Sequence, residues 1–539
     1  MTGYYLINFP ENKLQNEAIY LKIKEWLIKN YLFVIIWVLC TTILSVFVFP
    51  KFSADCINYD SSYQYFLTQH SVAEIWELLP QDYSPPVYAL LLKFYTMIFG
   101  NTLFIMRTMN VIIISAIFLI TLFPFRTAFG TKASIVYTIS VFCSATLLNQ
   151  VHEIRPTLLA FFAVIGIATY AYLVYFRTKK AYYIGFTVFV ILGMYIHNIV
   201  MLVALGIYVL MLLFSLVEKD YKKLKSIFIS GIIAAVVYIP WLIVVFGQFE
   251  NAKSSFIEII LNFDIVYKWL VSNIILTLDN NFIGSLLLVA FSLVLCFAVV
   301  GLIDWKKLKG AKTVKEIMHA DKARYKTLIF VCGELILSLV IVFAFHFIAY
   351  PLISERYIYI IGMILLMVIS VIVAEMSPKI FAVVFSVLFI VNGTLSVLKV
   401  QEKADSATMS TMVENIKKEN PDGKIVFLHT HEWTIGTLNY YFPDAEHYIY
   451  DKTFTVLNDM SVISKNIVDV GEIENIWNYT DKVYVFEPEG TWEDTYSYEE
   501  IIELLDPDTI NKHVQYINMY SYLQVCCPVL LEKSNALTE

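Results

Sequence analysis

Long apolar runs separated by short polar breaks fill most of the chain before residue 400, at about 31–50, 104–124, 133–148, 157–176, 181–196, 198–217, 227–246, 282–303, 327–349, 357–375 and 379–399. As helices, runs of roughly 16 to 25 residues cross a hydrocarbon layer about 30 Å thick, with local thinning at the short end. The eleven runs therefore predict about eleven spans. A further apolar stretch, 86–99, opens at Pro85-Pro86 and is only about 21 Å long as a helix, too short for an ordinary crossing. Beyond 400 the periodicity changes. A polar helix near 407–419 precedes apolar strand patterns at 424–429, 447–450, 482–487 and 514–520, with another helix near 498–505. Such alternation predicts a small α/β domain.

Whether 86–99 crosses decides which face every later loop occupies. The basic segments are Arg126/Lys132, Arg177/Lys179/Lys180, Lys219/Lys222/Lys223/Lys225, and 304–326, which holds Lys306, Lys307, Lys309, Lys312, Lys315, Lys322, Arg324 and Lys326. If 86–99 does not cross, all of them face the cytoplasm with the N-terminal lysines, whereas crossing would send them all outside. The positive-inside rule selects the first case. The stretch 86–99 then becomes a juxtamembrane or re-entrant helix, tolerated where backbone lies against protein. The expected organisation is a cytoplasmic segment 1–30, a membrane domain 31–399 with a first outer loop at 51–103, and an extracytoplasmic α/β domain at 400–539. The run 31–50 is too long, and lacks the small-residue exit, for a cleaved signal peptide, so it reads as a signal anchor.

Composition agrees with lipid as the main solvent. The chain is 58% hydrophobic and 16% charged, against about 25% charged in soluble chains. The net charge of −7 hides an asymmetry, because much of the acid follows residue 400 while lysines gather between apolar runs. Nucleic acid is thereby excluded as a partner, and membrane lipid expected. Of seven cysteines, Cys40, Cys143, Cys296 and Cys332 lie inside apolar runs, and Cys56, Cys526 and Cys527 lack metal-ligand spacing. Neither a disulfide framework nor a zinc site is read from them. No glycine-rich nucleotide loop, Walker pattern or internal repeat occurs.

The candidate chemistry collects in the segments assigned to the outer face. Asp60 stands in Asn-Tyr-Asp60-Ser-Ser-Tyr63 after the first span, and Asp82 in Asp82-Tyr-Ser-Pro85-Pro86-Val-Tyr88. Two carboxylates at the mouth of a bundle suit deprotonation of an acceptor hydroxyl or capture of a divalent cation; solvated turn acids are the plain alternative. At 152–156 comes His-Glu153-Ile-Arg155-Pro, whose charges are costly at membrane depth unless paired or functional. An interfacial ion pair would explain that segment equally well. His197 with Asn198 interrupts a 37-residue apolar run, for which a polar turn is the simplest reading. Glu355 and Arg356 open the tenth span, where an arginine either grips a phosphate bidentately or snorkels to the interface. Arg107, near the start of the second span, reads the same way. Placed by the lysine loops alone, Asp60, Asp82, Arg107, Glu153, Arg155, His197 and Arg356 share one side of the membrane.

Six short elements recur in a fixed order: Asp60-Ser61; Asp82-Tyr-Ser84-Pro-Pro-Val-Tyr88-Ala; Phe99-Gly-Asn-Thr-Leu-Phe104-Ile-Met-Arg107; Glu153-Ile-Arg155-Pro; Tyr195-Ile-His197; and Arg356-Tyr357. Together they resemble the membrane glycosyltransferases of the GT-C fold, in the group of protein O-mannosyltransferases, aminoarabinose transferases and bacterial family 39 proteins, over most of 31–375. The fold class implied is an α-helical polytopic membrane protein, GT-C-like, with about eleven spans, juxtamembrane helices and a small C-terminal α/β soluble domain. The resemblance implies an extracytoplasmic active site in the bacterial plasma membrane and inverting transfer of a hexosyl or pentosyl group. The donor would be a polyprenyl-phosphate sugar, and the acceptor an envelope polymer, lipid or protein. It puts the base on Asp60. Asp82 would position the acceptor or a metal, Arg155, Arg356 and Arg107 would hold the donor phosphate, and Glu153, His197, Tyr88 and Glu355 would support them. Ser61 stands where that group usually has a second acid, and Ser84 where it has histidine. A divalent cation on Asp60 and Asp82 therefore stays open, as no other cofactor is called for. The other function classes are a lipid or solute transporter or flippase, which would place charges in mid-span and often carry inverted repeats, and a non-catalytic, diverged member of the group.

Overall fold

The computed structural model describes residues 10–52, 57–80, 84–255, 282–302, 322–349, 353–375, 380–406, 409–430, 433–450, 467–488, 498–505, 510–515, 519–520 and 525–533, with isolated positions between 265 and 270. The membrane part consists of α1 (Pro10–Phe52), α2 (Tyr59–Leu67), α3 (Val72–Leu78), α4 (Pro86–Phe99), α5 (Leu103–Leu122), α6 (Pro124–Phe142), α7 (Ala145–Gln150), α8 (Thr157–Arg177), α9 (Lys180–Met194), α10 (Asn198–Val217), α11 (Tyr221–Ser255), α12 (Phe282–Leu302), α13 (Lys322–Ile348), α14 (Glu355–Glu375) and α15 (Ile380–Ser406). Each of the eleven expected runs falls on a helix. Among the described residues eight of these helices, α1, α5, α8, α10, α11, α13, α14 and α15, are long and apolar enough to cross a membrane, so the chain is a multi-pass membrane protein. The run 133–148 is divided between two helices. The first ends at Phe142 with Cys143 as its C-cap, and Ser144 caps the next, its side chain accepting from the Leu147 amide at 3.3 Å. Hydropathy counts Cys143, Ser144 and Ala145 as tolerably apolar and so misses an N-cap.

The bundle is layered by burial. In α8, 89% of the apolar window is covered by protein, against 11% in α1, so α8 is the central post and α1 lies at the lipid-facing edge. Small residues let helices approach closely: a side chain at Gly206 of α10 would meet the Leu337 carbonyl oxygen of α13 at 2.8 Å.

Contacts distinguish two ends. At one, Lys326 pairs with Glu218, Tyr175 donates to Glu218 at 2.8 Å, Lys223 meets Asp220 at 3.3 Å, and Arg126 reaches Asn30. This is the basic end. At the opposite end lie the α7–α8, α9–α10 and α13–α14 connections and the start of α5. Both ends of α4 are there too. Its first turn donates from the Val87 amide to the Tyr195 carbonyl at 3.0 Å, and beyond its last turn α5 begins, with Arg107 reaching the His152 carbonyl at 2.9 Å. The 14-residue α4 thus leaves and returns on one side of the bundle, as its length requires.

The C-terminal part adds α16 (Met409–Glu419), β1 (Val426–His429), α17 (Trp433–Tyr441), β2 (Glu446–Ile449), β3 (Ile467–Asp469), β4 (Lys482–Pro488), α18 (Tyr498–Leu504), β5 (Ile510–Gln515), β6 (Met519–Tyr520) and β7 (Val525–Lys533). The strands make one sheet in the order β3-β2-β1-β4-β7-β5, with β6 on β7. From β3 to β4 the pairing is parallel, and β7 runs antiparallel to its neighbours. The burial pattern of β1, covered at every position, fits a central parallel strand. Between β1 and β2, His429 Nε2 lies 3.0 Å from His447 Nδ1, and His429 Nδ1 lies 2.7 Å from the Thr434 hydroxyl of α17.

Burial pushes His447 down to about 4 and holds His429 well below the usual histidine range, with the His447 charge adding to the effect on His429. A depressed folded pKa stabilises above the unfolded value, about 6.5, and loses that contribution as pH falls towards the folded value. Acidification from pH 7 to 5 should therefore lower the thermal unfolding temperature of the full-length protein. His447→Asn should flatten the dependence, and an identical slope in that variant would contradict the assignment.

Candidate functional site

The site is built on a cap. Asn58 precedes α2, its side-chain oxygen accepting from the Ser61 amide at 2.8 Å. That geometry places Asp60 in the first turn, where the helix end favours a carboxylate. The Asn58 side-chain nitrogen points the other way and donates to Glu153 Oε2 at 2.5 Å. Ser61 continues the bridge: its hydroxyl accepts from the Ile154 amide at 3.1 Å and donates to Glu153 Oε2 at 3.4 Å. Two residues near the start of α5 hold the facing segment by its backbone. Asn110 donates to the Val151 and Glu153 carbonyls at 3.0 and 2.6 Å, and Arg107 to the His152 carbonyl.

Three charges then converge. Arg155 forms an ion pair with Asp60 Oδ2, and Arg356 Nη1 approaches the same oxygen at 3.4 Å. Arg155 Nε also lies 4.0 Å from Glu153 Oε2, so the chain of contacts runs Asn58, Glu153, Arg155, Asp60, Arg356. Its two ends differ in solvent access. The Arg155 and Glu153 side chains are 10% and 8% exposed, but Asp60 and Arg356 are 39% and 51% exposed, so the acid and one arginine face the approach. Burial raises the Glu153 pKa, and the Asn58 hydrogen bond, the Arg107 and Arg356 charges and the Ser61 hydroxyl work against it. Burial, then Arg356, lowers that of Arg155.

Other candidates fall around this core. His197 caps α10, Nδ1 accepting from the Ile199 amide at 3.2 Å, with its ring edge-on to Tyr357 at 5.0 Å. Burial presses its pKa down to about 4, so it is a neutral imidazole at physiological pH. Tyr88 is fully covered, and its phenol is raised by burial and then by the nearby Glu153 charge. Glu355 is turned to the Tyr359 hydroxyl rather than to Asp60. Arg107 is buried and serves the 151–153 backbone, while its charge acts on Glu153. Asp82 lies outside the described residues. Among the described residues no three His, Cys, Asp or Glu side chains gather as a metal site.

Asn58 and Asn110 were not singled out in the sequence, and Ser61 was marked only as standing in place of a second acid, although all three position the charges. The spacing of Asn58 to Ser61 is that of an N-cap, and Asn110 is a lone amide in an apolar run; both signals were available. The α/β domain rests on this assembly. The Thr437 hydroxyl of α17 donates to the Ile57 carbonyl at 2.9 Å, and Tyr440 packs edge-on to Tyr65 of α2 at 4.9 Å.

No family model matches the chain, and no curated protein sequence does. Among solved structures, ArnT from Cupriavidus metallidurans bound to undecaprenyl phosphate matches with a TM-score of 0.56 and 9% identity, over 91% of this chain and 97% of that one. The apo state of the same protein matches with a TM-score of 0.54 and 10% identity over the same shares. The chain is thus similar in fold to ArnT along nearly all of both lengths, in agreement with the GT-C-like architecture expected from its segments.

Asn58→Ala should leave Glu153 Oε2 with a single long hydrogen bond and lower stability by about 1–3 kcal/mol. Thermal unfolding in detergent reads this directly, and an unchanged transition would mean that the Asn58–Glu153 contact does not hold the loop.

Proposed function

We propose that the protein is a membrane glycosyltransferase that moves a sugar from a polyprenyl-phosphate donor to an acceptor hydroxyl, with the 31–399 bundle carrying the site and the 400–539 domain shaping acceptor access. The observation that carries the reading is the meeting of Arg155 and Arg356 on one oxygen of Asp60. Such a pair of guanidiniums matches a phosphate as well as it matches a carboxylate. A donor phosphate arriving between them competes with Asp60 for their hydrogen bonds and releases the carboxylate to act as base. The acceptor oxygen then attacks the anomeric carbon, the bond from that carbon to the phosphate oxygen breaks, and Asp60 takes the hydroxyl proton. Charge grows on the departing phosphate oxygen, which is where the two arginines stabilise it. Asp82 is proposed to position the acceptor or a metal; Arg107 assists through Glu153, and His197, Tyr88 and Glu355 support the walls.

The positive-inside rule supports a cytoplasmic basic end, and the proposed location of the site is the outer face of a plasma membrane. The fold similarity to ArnT, solved with undecaprenyl phosphate, supports a lipid of that class as donor.

Asp60→Asn should reduce transfer of radiolabelled sugar from the lipid by at least about a hundredfold with membrane insertion preserved. Full activity would remove Asp60 from the base role. Arg356→Ala should weaken undecaprenyl phosphate binding about tenfold or more, and unaltered affinity would argue against a phosphate between the arginines.

A further inference from the structure

The exposed end of the charged core depends on a short segment that leads into α14. Ile353 is buried and stands just before that helix, so the helix ladder gives its amide no partner and water has little access to it. The acceptor it finds is an imidazole. His346, buried in the last turn of α13, takes the Ile353 amide on Nδ1 at 3.0 Å. This bond ties the end of α13 to the entry of α14. A ring nitrogen accepts in this way only when the imidazole is neutral and carries its proton on Nε2.

The residues that follow are held in turn. The Ser354 carbonyl accepts from the Tyr357 and Ile358 amides at 3.1 and 3.3 Å and starts the helix. Glu355 is turned to the Tyr359 hydroxyl, and the Tyr357 ring meets the His197 ring edge-on at 5.0 Å. Arg356 differs from its neighbours. Its side chain is 51% exposed and reaches Asp60 Oδ2 at 3.4 Å, so packing does little to fix it and its reach is set by the backbone on which it stands. That backbone is anchored three residues earlier, at the amide that His346 holds.

We infer that His346 is the positioning residue for Arg356: by holding the Ile353 amide it sets where α14 begins, and with it the place of the guanidinium that meets the donor phosphate. This rests on the glycosyltransferase reading and adds to it a residue from the end of a neighbouring span. The part is played through the backbone by an acceptor at the Nδ1 position, which a leucine lacks and an asparagine oxygen supplies. A residue that served stability alone would weaken the protein whatever stood at 356. A positioning residue acts through Arg356, and its effect vanishes when that side chain is removed.

The test measures binding of undecaprenyl phosphate to the purified full-length protein in two backgrounds, wild type and Arg356→Ala. His346→Leu should weaken binding about three- to tenfold in the wild-type background, the worth of one hydrogen bond. Where Arg356 is already alanine, the same change should cost less than about twofold. His346→Asn should restore most of the loss in the wild-type background. Should the leucine variant fail to fold, His346→Gln takes its place, because its amide oxygen sits farther along the side chain, near the Nε2 position, and leaves the Ile353 amide without its acceptor. Equal losses in both backgrounds, wild-type affinity in the leucine or glutamine variant, or an asparagine variant no better than these would overturn the positioning role and leave the phosphate site standing. Absence of undecaprenyl phosphate binding by the wild type would instead overturn the glycosyltransferase reading and this role with it.

Discussion

A carboxylate and a guanidinium buried side by side at the mouth of a helix bundle set the constraint around which this end of the molecule is arranged. Charges removed from water are tolerable only when every one finds partners. Glu153 obtains Asn58 and Ser61, Arg155 obtains Asp60, and the intervening backbone is held by Asn110 and Arg107. Removing any one member would leave a buried polar group exposed to that cost. The short α2 helix exists in its present position because its cap residue is also a ligand of Glu153. The domain that packs on α2 through Thr437 and Tyr440 adds a second fastening.

The rest of the bundle serves to bring distant segments to that point. Asp60, Arg155 and Arg356 are separated by many spans in sequence, yet each stands at a turn on the same end. An even number of crossings between those turns is what allows it, and α4 keeps the count even by starting and finishing on one side. The basic residues at the far end follow from the same parity. One short helix therefore links the electrostatic asymmetry of the chain to the assembly of the site.

Much of this was legible before any coordinates. The apolar runs marked the helices, the lysine loops grouped Asp60, Arg107, Glu153, Arg155, His197 and Arg356, which lie at one end of the bundle, and the alternation after residue 400 marked strands and helices of a small α/β unit. Pairings were not legible. Nothing in a linear pattern shows that two arginines converge on one oxygen of Asp60, or that Arg107 spends its guanidinium on a carbonyl rather than facing the approach. Asn58 and Asn110 escaped notice because their importance lies in hydrogen bonds across 95 and 43 residues of chain. The break at Ser144 was hidden for a related reason: a hydroxyl that caps a helix barely alters hydropathy. His346 reads as an ordinary span residue until its ring is found holding the Ile353 amide.

The account turns on a phosphate replacing a carboxylate between two arginines. An experimental structure determined with undecaprenyl phosphate tests this most directly. Phosphate density within hydrogen-bond distance of both Arg155 and Arg356, with the Asp60 carboxylate moved off them, is the predicted result. Phosphate bound at the lysine-rich end, with both arginines still on Asp60, would contradict it.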